Sequence, residues 1–78
     1  MRIYDEQNDK QLSSVTIYLA PAEAAELGSD AVALSENPNK HHSHISDENG
    51  ERKITLAVYT QSNLGQFDEN SRKIIEGD

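Results

Sequence analysis

The chain has 78 residues, a formal net charge of -7 and no cysteine. That length suits one small domain with a thin core, and the missing thiols exclude a disulfide framework or a thiolate metal site. Seven Lys and Arg, scattered among fourteen Asp and Glu, do not form the basic patch that nucleic acid demands, and the same charge disfavours an anionic membrane.

The amino terminus, MRIYDEQNDK, turns acidic at once and lacks the apolar run of a signal peptide. No stretch has the length of a membrane span. A cytoplasmic location is therefore the expectation.

Arg2 to Asp5 and Ser14 to Leu19 read as strands joined by the polar run Glu6 to Ser13. In VTIYL, Val15, Ile17 and Leu19 alternate with Thr16 and Tyr18, the period of a half-buried strand. A core-facing Ile3 should then oppose Val15 or Ile17, which requires an odd-length loop or a bulge.

Pro21 opens a helix, where its missing N–H costs nothing, and Glu23 and Glu26 suit the positive end of the helix dipole. Ala24, Leu27, Ala31 and Leu34 recur along one helical face. Gly28-Ser29-Asp30 interrupts them, and a mid-helix Gly costs about 1 kcal/mol relative to Ala. A weak, kinked or restarted helix is expected there, ended by Pro38.

The second hairpin is carried by HHSHISDENGERKITLAVYT, with Asn49-Gly50 as a two-residue type I′ turn. Counting outward from that turn, Asp47 faces Arg52, Ile45 faces Ile54, Ser43 faces Leu56 and His41 faces Val58. One side of the hairpin is then His41, Ser43, Ile45, Ile54, Leu56 and Val58. The other holds His42, His44, Lys53, Thr55, Ala57 and Tyr59. After Thr60 a last helical segment follows, with Ser62 capping a first turn and Asp68 capping a second through the Ser71 amide. Leu64, Phe67, Ser71 and either Ile74 or Ile75 form one side of it.

The order is ββαββα. An α+β domain over residues 1–75 is expected, with a four-stranded, mainly antiparallel sheet covered on one face by two helices, and 76–78 as a frayed tail. The uncovered sheet face would collect Tyr4, Thr16, Tyr18, His42, His44, Thr55 and Tyr59. Amphipathic rings on a face of small polar side chains are the composition of an interaction surface, and symmetric homodimers are the commonest soluble assembly.

His42 and His44 also form a candidate site for a divalent transition metal, since imidazole suits Zn, Ni or Cu. Such a site needs three or four ligands, so His41 or a carboxylate would have to complete it. Around Gly50 an EF-hand reading fails, because its first and last ligand positions fall on Ile45 and Leu56. No GxSxG elbow and no Gly-rich phosphate loop occurs, and no catalytic residue is assigned.

The series IYDE, VTIYL, HHSHISD, ITLAVYT and FDENSRKII resembles small bacterial proteins of unknown function. The resemblance implies a bacterial, cytoplasmic source and carries no activity, cofactor or catalytic residue. The expected function is a homodimeric protein-interaction or regulatory module, not an enzyme, acting through the Tyr- and His-bearing face. The alternatives are metal binding through His42 and His44, or an acidic inhibitor of antitoxin type that masks a basic protein.

Overall fold

The computed structural model describes residues 1–77. Among them the chain forms β1 (Ile3–Asp5), β2 (Lys10–Leu12), α1 (Pro21–Glu36), β3 (His42–Ser46), β4 (Lys53–Ala57) and α2 (Glu69–Glu76). Short 3₁₀ turns lie at Pro38–Lys40 and Leu64–Gln66. The class is α+β and the order ββαββα, as the sequence predicts. The four strands do not share one sheet: β1 pairs only with β2 and β3 only with β4, each pair antiparallel. Each strand pairs with its neighbour in sequence, where the intervening loop is short and its closure entropy small. The chain divides into two compact units, one from Met1–Tyr18 with the segment from Phe67 onward, the other Leu19–Gln66.

In the first unit the second strand lies earlier than its alternation suggests. Asp5 accepts hydrogen bonds from the Gln7 and Asn8 backbone amides, at 3.1 and 3.2 Å, and from the Asn8 side-chain amide at 2.8 Å. These bonds turn the chain back within Glu6–Asp9, helped by a left-handed Asp9 at φ 51°. Lys10 then opposes Asp5 and Leu12 opposes Ile3. The loop is even in length, and Ile3 finds its apolar partner in Leu12 instead of Val15 or Ile17. The VTIYL run is left without a ladder and is not a strand; Val15, Ile17 and Tyr18 are exposed.

In the same unit α2 starts as expected, with the Asp68 carboxylate accepting from the Ser71 amide at 2.7 Å. Its C-terminal carbonyls, which lack intrahelical partners, are met by Arg2. The guanidinium donates to Ile74 O at 3.2 Å and Gly77 O at 2.8 Å, and its charge suits that end of the helix dipole. Glu76 is helical and the Gly77 amide donates to Lys73 O. Asp78 lies outside the described residues.

In the second unit α1 runs unbroken for 16 residues through Gly28-Ser29-Asp30. The half-buried and buried positions are Glu23, Leu27, Asp30 and Leu34, spaced as one helical face. Ala24 and Ala31 are exposed, which corrects the expected apolar face. The reason is polar: the Ser43 hydroxyl donates to the Asp30 carboxylate at 2.7 Å, turning Asp30 inward and tying the middle of the helix to β3. That anchor, with Leu27 and Leu34 on either side, outweighs the weak propensity of Gly28. Leu34 and Ile45 are the most enclosed apolar side chains, 1% and 3% exposed.

The β3–β4 register is the one counted from the turn. Ile45 opposes Ile54 and Ser43 opposes Leu56, the Asp47 amide bonds Arg52 O, and the Val58 amide bonds His41 O. The turn itself differs. Only Gly50 has positive φ, at 69°, and its amide donates to Asp47 O at 3.0 Å. The Asp47 carboxylate accepts the Glu51 and Arg52 amides at 2.9 and 3.3 Å, a side-chain brace that a two-residue type I′ turn does not require.

Candidate interaction surface

Alternation along β3 and β4 leaves His42, His44, Lys53, Thr55 and Ala57 on the exposed side. His44 lies directly opposite Thr55 and His42 opposite Ala57. The His44–Thr55 pair is one of the non-hydrogen-bonded pairs of the ladder, in which side chains approach most closely. His44 Nδ1 and Thr55 Oγ1 are accordingly 2.9 Å apart.

The histidines form a continuous row. The His42 and His44 rings meet edge to face with centroids 5.2 Å apart, a favourable aromatic geometry. The His41 ring lies 4.6 Å from that of His42, and their Nδ1 atoms are 2.8 Å apart. One of those nitrogens must carry the proton and the other the lone pair. His41 is placed by its backbone: a left-handed φ of 49° ends the Pro38–Lys40 turn, with its amide on Pro38 O and its carbonyl receiving the Val58 amide.

Four of the seven expected surface residues belong to this unit. His42, His44 and Thr55 share the exposed sheet face, and Tyr59, 43% exposed, follows just after β4. Tyr4, Thr16 and Tyr18 belong to the other unit. Tyr4 is half-buried on β1 with its hydroxyl donated to the Asp9 carboxylate. Thr16 and Tyr18 lie in the unpaired VTIYL run, with Tyr18 92% exposed. The seven therefore do not lie on one sheet: the expected sheet is two sheets, and Thr16, Tyr18 and Tyr59 belong to no strand.

Among the described residues no group of three or more His, Cys, Asp or Glu is arranged to hold a metal ion. The same unit has an open cleft of about 590 Å³ whose lining includes Glu23, Glu26, Asp47 and Glu48. Two of those carboxylates have local duties. Glu23 accepts the Ala20 amide at 2.8 Å at the start of α1, and Asp47 braces the hairpin turn.

The residue that sequence reasoning missed is Asn63, 1% exposed. Its side-chain amide donates to Pro38 O at 2.8 Å and Val58 O at 2.9 Å. Its Oδ1 accepts the Thr60 amide at 2.7 Å, while Thr60 Oγ1 accepts the Asn63 amide at 3.1 Å. That exchange is a capping-box relation written as Thr-x-x-Asn, a spacing visible in TQSN. Asn63 thereby holds the segment before β3 against the segment after β4, fixing the ends of the hairpin that displays the histidines.

Among the described residues no helix is long and apolar enough to cross a membrane. No family model, curated protein or solved structure matches the chain.

Proposed function

We propose that this chain is a homodimeric protein-interaction module, not an enzyme, and that it acts in the cytoplasm through the exposed side of the β3–β4 hairpin. The observation that carries this reading is the linked row His41, His42, His44 and Thr55, whose rings and hydroxyl are already held by one another. Side chains ordered before binding lose less entropy on association. Imidazole and phenol rings bring apolar area and a polar tip together, so His42, His44 and Tyr59 suit the centre of such a contact and Thr55 its orientation.

The test is light scattering and native mass spectrometry across a concentration series, on untagged protein purified without nickel. A metal-free dimer is expected, and Thr55→Ala with Tyr59→Ala should raise its Kd by about tenfold while far-UV circular dichroism stays unchanged. A mass that is monomeric at every concentration overturns the reading. A stoichiometric bound metal ion would instead make His42 and His44 ligands.

A second reading, an acidic inhibitor of a basic protein, draws on the carboxylate-lined cleft. Glu26 and Glu48 would carry it, since Glu23 and Asp47 are engaged in capping. Its signature is a pulled-down complex that dissociates steeply with added salt.

A further inference from the structure

Among the described residues the β3–β4 sheet is two-stranded, so each strand keeps one edge unpaired with another strand, and such an edge is a template for another chain. The register determines what the β4 edge offers. Hydrogen-bonded pairs alternate with non-bonded pairs along an antiparallel ladder. The bonds from Asp47 to Arg52 and from Val58 to His41 place Ser43–Leu56 and Ile45–Ile54 among the bonded pairs. Lys53, Thr55 and Ala57 therefore turn their N–H and C=O groups outward, away from β3.

Two further observations bear on the β4 edge. On the inner side of the hairpin Ile45 is 3% exposed, whereas Ile54 and Leu56 are only half-buried, so apolar cover thins toward the β4 edge. In a chain of net charge -7, no acidic residue occurs between Glu51 and Asp68. Two copies can therefore approach along β4 without opposing carboxylates.

We propose that two copies pair antiparallel through their β4 edges, about a two-fold axis at Thr55, making a four-stranded sheet in the order β3–β4–β4–β3. This rests on the homodimer reading above but assigns the contact between copies to the β4 edge, which leaves the His-bearing face open to another protein. The register is self-complementary. Thr55 opposes Thr55 of the second copy as a bonded pair, and Lys53 opposes Ala57 of the second copy, so no like charges are set face to face. Ile54 opposes Leu56 of the second copy on the inner side, which supplies the missing apolar cover. On the outer side the two rows of His42, His44 and Thr55 become one continuous face.

The chain has no cysteine, so a single introduced thiol reports this geometry directly. Opposed Cα atoms of a bonded pair stand about 5.5 Å apart, within disulfide range. Full-length Thr55→Cys, oxidised with glutathione disulfide, should form a covalent dimer about tenfold faster than Ala57→Cys or the exposed helix variant Ser29→Cys. In parallel, Thr55→Lys should dissociate the dimer while circular dichroism remains that of the folded chain. If wild type is dimeric but Thr55→Cys links no faster than the two controls, edge pairing is overturned and the homodimer reading stands. If wild type is monomeric at every concentration, both are overturned.

Discussion

The side-chain amide of Asn63 donates to the carbonyl of Pro38 at 2.8 Å, across 25 positions of sequence. Neither residue belongs to a strand, yet the bond governs the hairpin between them. Pro38 opens the 3₁₀ turn that delivers His41 and β3, and the second proton of the same amide holds Val58 at the exit of β4. A buried amide that satisfies two carbonyls and one backbone N–H costs little to enclose, whereas its removal strands all three.

Asn63→Ala should therefore destabilise the protein by roughly 3 kcal/mol, seen as a lower midpoint in urea with the slope unchanged. Asn63→Asp should be worse at neutral pH, because a carboxylate would face two carbonyl oxygens. A midpoint within error of wild type would mean that water replaces the lost donors.

The Ser43–Asp30 bond is expected to be the main polar tie between α1 and β3. Ser43→Ala should cost about 1–3 kcal/mol, since the acceptor is a charged carboxylate. Combined with Asp30→Ala it should show a coupling of about 1 kcal/mol. Strict additivity in a double-mutant cycle would remove this bond from the account of the helix orientation.

Gly28 lies within the unbroken α1, exposed, and a Cβ built there meets nothing within 4 Å. Gly28→Ala should stabilise the protein by about 1 kcal/mol and raise Tm by about 4–8 °C. A lower Tm by differential scanning calorimetry would show that the helix needs a bend at this point.

Acid should weaken the two carboxylates that hold local turns. Asp68 is kept below its ordinary value of 3.8 chiefly by the Ser71 amide and then the Ser71 hydroxyl. Asp5 is lowered first by the Asn8 side-chain amide and then by the Asn8 backbone N–H. A depressed folded value stabilises the fold above the unfolded pKa, and that contribution is lost as the pH falls through the folded value. The Tm deficit of Asp68→Ala and of Asp5→Ala should thus be full at about pH 6 and shrink toward about pH 2. A deficit constant across that range would assign the effect to side-chain packing instead of charge.

The second hairpin was legible because its signals are local and agree. The turn residues and the alternation of KITLA specify the same register, so the exposed placement of His42, His44 and Thr55 followed directly. The first hairpin misled, since VTIYL alternates well but Asp5 closes a turn too early for it to pair. An alternating segment becomes a strand only when a partner edge lies beside it.

The sequence by itself determined the α+β class, the order of elements, the β3–β4 register and the Asp68 cap, because each depends on residues a few positions apart. Tertiary structure alone decided that the strands form two sheets, that α1 turns Glu23 and Asp30 inward beside Leu27 and Leu34, and that Asn63 is enclosed. The inward Asp30 and the enclosed Asn63 depend on hydrogen-bond partners far along the chain, Ser43 and Pro38. A buried polar group is stable only where such a partner satisfies it, and spacing along the chain does not reveal which distant residue that will be.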